Sequence, residues 1–177
     1  MRSRAIPFLS VFLLTGCTPP PQILPFTGPV AHLSMTEIAR GPFAANVFYV
    51  AMINGQDFAG SIDPGQPPPD TPLNPQTGTI ATVDIPAGPG TYTVIGRSIF
   101  QAPIFAMTMN SYCLGGDIKF TPVANATYIV EGTFTPHYAA LWIQDAASNT
   151  VEGSKIEVHG STMMGLWRKN PLQGPDC

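Results

Sequence analysis

NVFYVAMI (residues 46–53), NG (54–55) and QDFAGSI (56–62) read in succession as strand, tight turn and strand, and this reading sets the fold class. Valine, isoleucine, phenylalanine and tyrosine suit a pleated, packed surface. Asn54 and Gly55 between two such runs are the strongest short-range signal for a β-hairpin. Apolar groups occupy both alternating sets of the first strand, with Val47, Tyr49 and Ile53 on one side and Phe48, Val50 and Met52 on the other. A strand patterned in this way is expected to be covered on both faces.

Downstream of the hairpin, residues 63–78 carry six prolines and so lack the donors for a sheet ladder, which predicts a long exposed loop. Residues 79–85 return to period-two alternation, with Ala81, Val83 and Ile85 inward and Ile80, Thr82 and Asp84 outward. A proline-glycine turn at 86–90 leads to a further strand at 91–100, with Tyr92 and Val94 as core candidates. Residues 101–116 fit a strand, a short helix or a packed loop, and Gly115 and Gly116 are expected to end that stretch. Strands follow at 118–123, 127–134, 138–145 and 151–159, separated by turn residues. Seven or eight short antiparallel strands with no sustained helical period predict an all-β domain, a single β-sandwich of immunoglobulin-like or transthyretin-like type.

The N-terminal segment carries a different signal. Arg2 and Arg4 precede an apolar run at 5–14, and Leu14, Thr15, Gly16 and Cys17 close it. About ten apolar residues make an export signal, since a membrane-spanning helix needs roughly twenty. The tetrapeptide resembles the bacterial lipobox, which implies cleavage after residue 16 and attachment of fatty acyl chains to Cys17. Each buried methylene contributes about 0.8 kcal/mol, so two or three chains hold a protein on a bilayer without any spanning segment. Thr18, in place of aspartate, implies outer-membrane sorting by the same resemblance if the source is Gram-negative. The expected organisation is a signal peptide at 1–16, a lipidated proline-rich tether at 17–39, a β-domain at 40–160 and a C-terminal tail at 161–177. Residues 34–40 fit either one helical turn or extended chain.

Without Arg2 and Arg4, six of the eight basic residues remain against eleven acidic ones, a formal charge of −5 with no basic cluster. Nucleic acid is therefore not an expected partner. Assigning Cys17 to lipid leaves Cys113 and Cys177, which suggest one disulfide in an oxidising envelope. The alternative is two free thiols. A bridge would close a loop of about 65 residues and stabilise the fold by roughly 4 kcal/mol in the chain-entropy description.

Three stretches, VFYVAMINGQDFAG, VDIPAGPGTYTV and FTPVANATYIVEG, resemble in content and order the PEGA-like modules of uncharacterised bacterial sandwich lipoproteins. The resemblance covers residues 44–134 and rests on turn chemistry at 54–55, 86–92 and 125–128. Two segments, 63–78 and 101–116, exceed the family pattern in length, and Asn125 with Ala126 replaces its usual glycine. The resemblance implies a sandwich fold and no catalytic residues.

Other constellations are weaker. His32, His137 and His159 have no metal-ligand spacing, no GxSxG elbow occurs, and the acid pairs Glu152 with Glu157 and Asp57 with Asp63 read as solvated residues. Tyr138 and Trp142, four apart, share one face of a strand beside His137. They are expected in the core; exposed, they would stack on a sugar ring or a peptide. Trp167, with Arg168 and Lys169, reads as a core edge or part of the disulfide-pinned tail rather than a contact to lipid headgroups or a partner. The composite expectation is a non-catalytic envelope lipoprotein without cofactor, attached to the membrane by lipid. Its β-domain would bind or position a protein or envelope component through a sheet edge or the 63–78 loop. An accessory role in a secretion or surface-appendage assembly is the alternative, followed by a periplasmic hydrolase.

Overall fold

The computed structural model describes residues 27–58 and 77–159 of the chain. Among these residues nine strands and one short helix follow in the order β1 (Val30–Ala39), β2 (Ala44–Ile53), β3 (Gln56–Asp57), β4 (Gly78–Pro86), β5 (Gly90–Phe100), α1 (Pro103–Thr108), β6 (Cys113–Phe120), β7 (Thr127–Thr135), β8 (Tyr138–Asp145) and β9 (Val151–His159). The all-β expectation holds. The two layers expected of a sandwich are the halves of one mostly antiparallel sheet, ordered β6-β5-β2-β1-β7-β8-β9 and nearly closed into a barrel.

β1 makes the sheet continuous. Its first half, residues 32–34, runs parallel to β7, while residues 36–39 pair antiparallel with β2, and β4 lies along its other edge. Where β2 and β7 diverge, the Thr36 hydroxyl donates to the Val130 carbonyl at 2.6 Å. A register shift between Met35 and Thr36 accompanies the change of partner. Ala31 and Leu33 accordingly enter the main core, and Met35 joins a second cluster. The sheet therefore begins at residue 30, and residues 30–39, expected in the tether, are its junction strand. Ala31, Leu33 and Met35 alternate with His32, Ser34 and Thr36, but the period fails after Thr36, which is why residues 34–40 read alone left strand and helical turn undecided.

The turn forms as expected, but its second strand is short: β3 holds Gln56 and Asp57 alone, Phe58 follows outside it, and residues 59–62 of the expected strand lie outside the described residues. Ile53 faces Gln56 across a two-residue turn, and positive φ at both Asn54 (53°) and Gly55 (74°) gives the turn whose twist matches that of its strands. Residues 44–50 are all buried. Phe48 and Val50 point into the main core, whereas Val47 and Tyr49 point to the opposite face, where Met35 and Ile95 complete the second cluster. β4 shows the expected alternation, with Ile85 fully buried and Ile80, Thr82 and Asp84 exposed.

Between β5 and β6, residues 103–108 form α1, with Pro103 in its first turn and Phe105 stacked on Phe43 at 4.6 Å. Gly115 and Gly116 lie inside β6 and do not end it. Neither has positive φ, and Gly116 faces Ile156, whose Cδ1 would stand 2.9 Å from a Cβ there. That glycine lets β6 approach β9 at the nearly closed seam. Gly153 of β9 acts likewise at φ +70°, where a Cβ would lie 2.5 Å from the Lys119 carbonyl oxygen.

Inside the barrel, Phe48, Phe134 and Tyr112 pack in sequence at 5.5 and 5.4 Å, and Tyr92, Phe120 and Tyr128 at 4.6 and 5.2 Å. Burial pushes the Tyr92 phenol up to about 12, with the neighbouring Tyr128 adding to the shift. At the α1 end, Arg40 donates to Ser98 Oγ (3.0 Å) and to the Asn110 carbonyl (2.7 Å) and lies over the Tyr112 ring. Ser98 in turn donates to the buried Asn46 amide oxygen at 2.9 Å and accepts from the Tyr112 N–H. This network fixes the turn between β1 and β2 to β5 and to the segment between α1 and β6.

Candidate functional site: an aromatic and charged face on β7, β8 and β9

Alternation along β8 sends Ala139, Leu141 and Ile143 into the core and leaves Tyr138, Trp142 and Gln144 on the outer face. Tyr138 and Trp142 are thus half-exposed and not core residues, a correction to the sequence reading. The core expectation failed because period two already commits the intervening Ala139, Leu141 and Ile143 to the interior.

β9 completes the face. Between the pairs Leu141 with Ile156 and Ile143 with Glu152, β8 places one residue and β9 places three, so the edge strand bulges opposite Trp142. Lys155 emerges from this bulge with its ammonium 4.6 Å from the Trp142 ring centroid and 5.7 Å from that of Tyr138. The same ammonium stands 3.1 Å from a Glu157 carboxylate oxygen, and the Tyr138 hydroxyl donates to that oxygen at 2.7 Å. His159 packs its ring 4.9 Å from Tyr138, and Trp142 Nε1 donates to Gln144. On the other side Glu131 of β7 is the cross-strand partner of Trp142.

Each charge in this cluster favours the ionised form of its partner. The Tyr138 hydroxyl and then Glu157 raise the Lys155 pKa, and Tyr138 and then Lys155 lower that of Glu157. Both side chains remain substantially solvated, 35% and 40% exposed, so water screens the ion pair and its strength is modest. The arrangement holds a cation against two aromatic rings and a carboxylate.

The turn that carries β8 into β9 is itself well determined. Asp145 accepts from the N–H groups of Ala147 and Ser148 and from the Ser148 hydroxyl, which together hold its carboxyl below the usual carboxylate range. Asn149 takes φ +56°, which closes the turn.

The other sequence candidates are dispersed. Cys17, Cys177, Asp63, Trp167, Arg168 and Lys169 lie outside the described residues, as does nearly all of the 63–78 loop. Cys113 opens β6 and is the one cysteine among the described residues, so its expected pairing with Cys177 falls outside them too. His32 Nδ1 meets Asp84 Oδ1 at 2.8 Å on an exposed stretch of the β1 and β4 pair, far in sequence from His159. His137 sits exposed in the turn between β7 and β8, and Asp57 ends β3. Among the described residues no group of three His, Cys, Asp or Glu side chains is placed to hold a metal, and no helix is long and apolar enough to cross a membrane.

Lys155 was missed as a site residue, and Glu157 was read only as a solvated acid paired with Glu152. The available signal was their alternation at 155, 157 and 159 opposite Tyr138 and Trp142 in a hairpin, but the bulge that brings Lys155 over the indole has no sequence signature. A shallow open depression of about 380 Å³ also exists between Asn54, Gly90, Thr91 and Lys119. Asn54 there is engaged by the Thr91 N–H, leaving no convergent set of polar groups. Comparison of the chain with protein-family models, curated proteins and solved structures finds no match.

Proposed function

We propose that the chain is a non-catalytic lipoprotein of the cell envelope that uses its β-domain to bind or position a protein or another envelope component. The observation that carries the binding role is the outer face of β8 and β9, where two aromatic rings, a carboxylate and an ammonium converge on a rigid sheet. Aromatic groups with one exposed side and a polar rim are what recognition surfaces are built from. Support for the address comes from the export-signal pattern and from Leu14, Thr15, Gly16 and Cys17. Cys17 takes the lipid, residues 18–29 span the gap between bilayer and β1, and the location is the outer membrane if the source is Gram-negative. Cys113 and Cys177 form a disulfide that pins the C-terminal tail to β6. The turn motifs at 54–55, 86–92 and 125–128 support a family analogy with PEGA-like lipoproteins.

The test has two independent arms. Metabolic labelling with a fatty acid, followed by fractionation, places wild-type chain in the membrane fraction and Cys17→Ala outside it; an unlabelled wild type overturns the address. Crosslinking in intact cells captures a defined envelope partner whose yield drops with Trp142→Ala. Unchanged capture by that variant refutes the use of this face.

A further inference from the structure

We propose that Tyr138, Trp142 and Glu157 form a binding site for an organic ammonium group, occupied in cis by the Lys155 side chain and opened when a ligand cation displaces it. The inference deepens the proposed function, since it rests on the β8 and β9 face being a binding surface and names the chemistry that surface accepts.

The structure carries a sample of the ligand. An ammonium lies 4.6 Å from one ring centroid, 5.7 Å from another and 3.1 Å from a carboxylate oxygen. Aromatic rings attract cations through their negative faces, and quaternary ammonium groups are recognised by such clusters of rings. The Tyr138 hydroxyl, donating to Glu157 at 2.7 Å, fixes the carboxylate and leaves the ring face turned to the cation.

Charge selects the ligand class. Glu157 on β9 and Glu131 on β7 lie on the two strands that flank Trp142, and Gln144, Tyr138 and His159 supply the remaining groups of the face. Once Lys155 leaves, Glu131 and Glu157 remain on the strands either side of Trp142, with no other lysine or arginine in β7, β8 or β9. Such a surface attracts a cation and repels an anion. A neutral sugar would need the indole face open, and the cation occupies it.

Displacement is feasible because the occupant is weakly held. Lys155 is tethered by four rotatable bonds, is partly solvated and is held by the Tyr138 hydroxyl, an exposed ion pair and two cation–ring contacts, all within reach of water. Its advantage over a free ligand is its high local concentration. Removing it while keeping the rings and carboxylate should therefore tighten binding of an external ammonium.

The experiment uses the full chain in an uncharged detergent lacking choline headgroups, in a Trp167→Phe background so that Trp142 gives the one indole N–H signal. Choline chloride is titrated against sodium chloride of equal ionic strength, beside 3,3-dimethyl-1-butanol as neutral isostere and cellobiose as neutral sugar. The expected result is a saturable shift of the Trp142 signal with choline alone. Its midpoint falls about tenfold in Lys155→Gln, equivalent to about 1.4 kcal/mol, and rises in Glu157→Gln. Absence of a saturable choline shift in Lys155→Gln overturns the proposal, provided the variant keeps the wild-type melting profile. An equal shift with the neutral isostere, or a shift with cellobiose alone, overturns it as well. In those cases a crosslinked partner still lost with Trp142→Ala would leave the face as a binding surface and refute only its cation chemistry.

Discussion

Gly132→Ala should destabilise the protein by about 3 kcal/mol, because two immovable neighbours occupy the space a methyl group would need. Gly132 lies on the inner side of β7 opposite Leu141, and a Cβ there would overlap the edge of the Phe48 ring and stand 2.7 Å from the Ala140 carbonyl oxygen. The ring has little room to withdraw. Phe48 is fully buried, and its other neighbour Gly96 is equally tight, with a Cβ at 96 lying 2.8 Å from the same ring and 2.5 Å from Leu141 Cδ2. Overpacking of a dense core costs about 1–3 kcal/mol. Shifting Ala140, the ladder partner of Thr133, adds the net worth of a disturbed hydrogen bond, about 1 kcal/mol. With a urea slope of about 2 kcal/mol per molar, the midpoint should fall by about 1.5 M. Gly115→Ala is the control, since a Cβ there meets nothing closer than 3.5 Å. It should leave stability unchanged or raise it by about 0.4–1 kcal/mol through the unfolded chain. Combining Gly132→Ala with Phe48→Leu should show a coupling above about 0.5 kcal/mol, because the smaller side chain relieves the overlap. A Gly132→Ala midpoint within experimental error of wild type, or strict additivity in that cycle, refutes the reasoning.

Two further perturbations test the packing and the buried polar network. Tyr92 ionises in the fold only near pH 12, against 10.0 for an unperturbed phenol. Since its folded pKa is raised, its contribution is intact below pH 10 and is lost as pH climbs from 10 to 12, by about 3 kcal/mol in all; urea midpoints across that window should fall more steeply for wild type than for Tyr92→Phe. Ser98→Ala removes the partner of Arg40, of the Tyr112 N–H and of the buried Asn46 amide at once. It should cost about 1–3 kcal/mol, read as a thermal shift of several degrees, and Asn46→Ala in the same background should then add little.

The hairpin and the alternation of β4 were legible because both are local. Turn chemistry at Asn54 and Gly55 and a period of two decide them without reference to the rest of the chain. β1 was not legible in the same way. Its residues alternate only over the first half, and its pairing with β7 depends on a strand more than ninety residues downstream. The glycine pair at 115–116 shows the same limit: a local rule reads a turn, whereas the close approach of Ile156 requires a residue without a side chain. Trp142 and Tyr138 could be put on one face of a strand from spacing alone. Which face pointed to water depended on Ala139, Leu141 and Ile143, and the ammonium above the indole depended on a bulge in the partner strand.

That bulge ties the candidate site to the way the sheet closes. β9 must bend to lie beside β6, and Gly153 does so by taking φ +70° against the Lys119 carbonyl. The residues added at this bend displace Lys155 outward over Trp142, two positions along the chain. On the opposite half Met35, Val47, Tyr49 and Ile95 are buried on the outer side of β1, β2 and β5, with the Arg97 guanidinium 5.9 Å from the Tyr49 ring centroid. One half of the sheet is thus covered on both faces and serves the fold. The other half, bent by Gly153 and open on its outer side, places aromatic rings, carboxylates and a displaceable ammonium within reach of solvent.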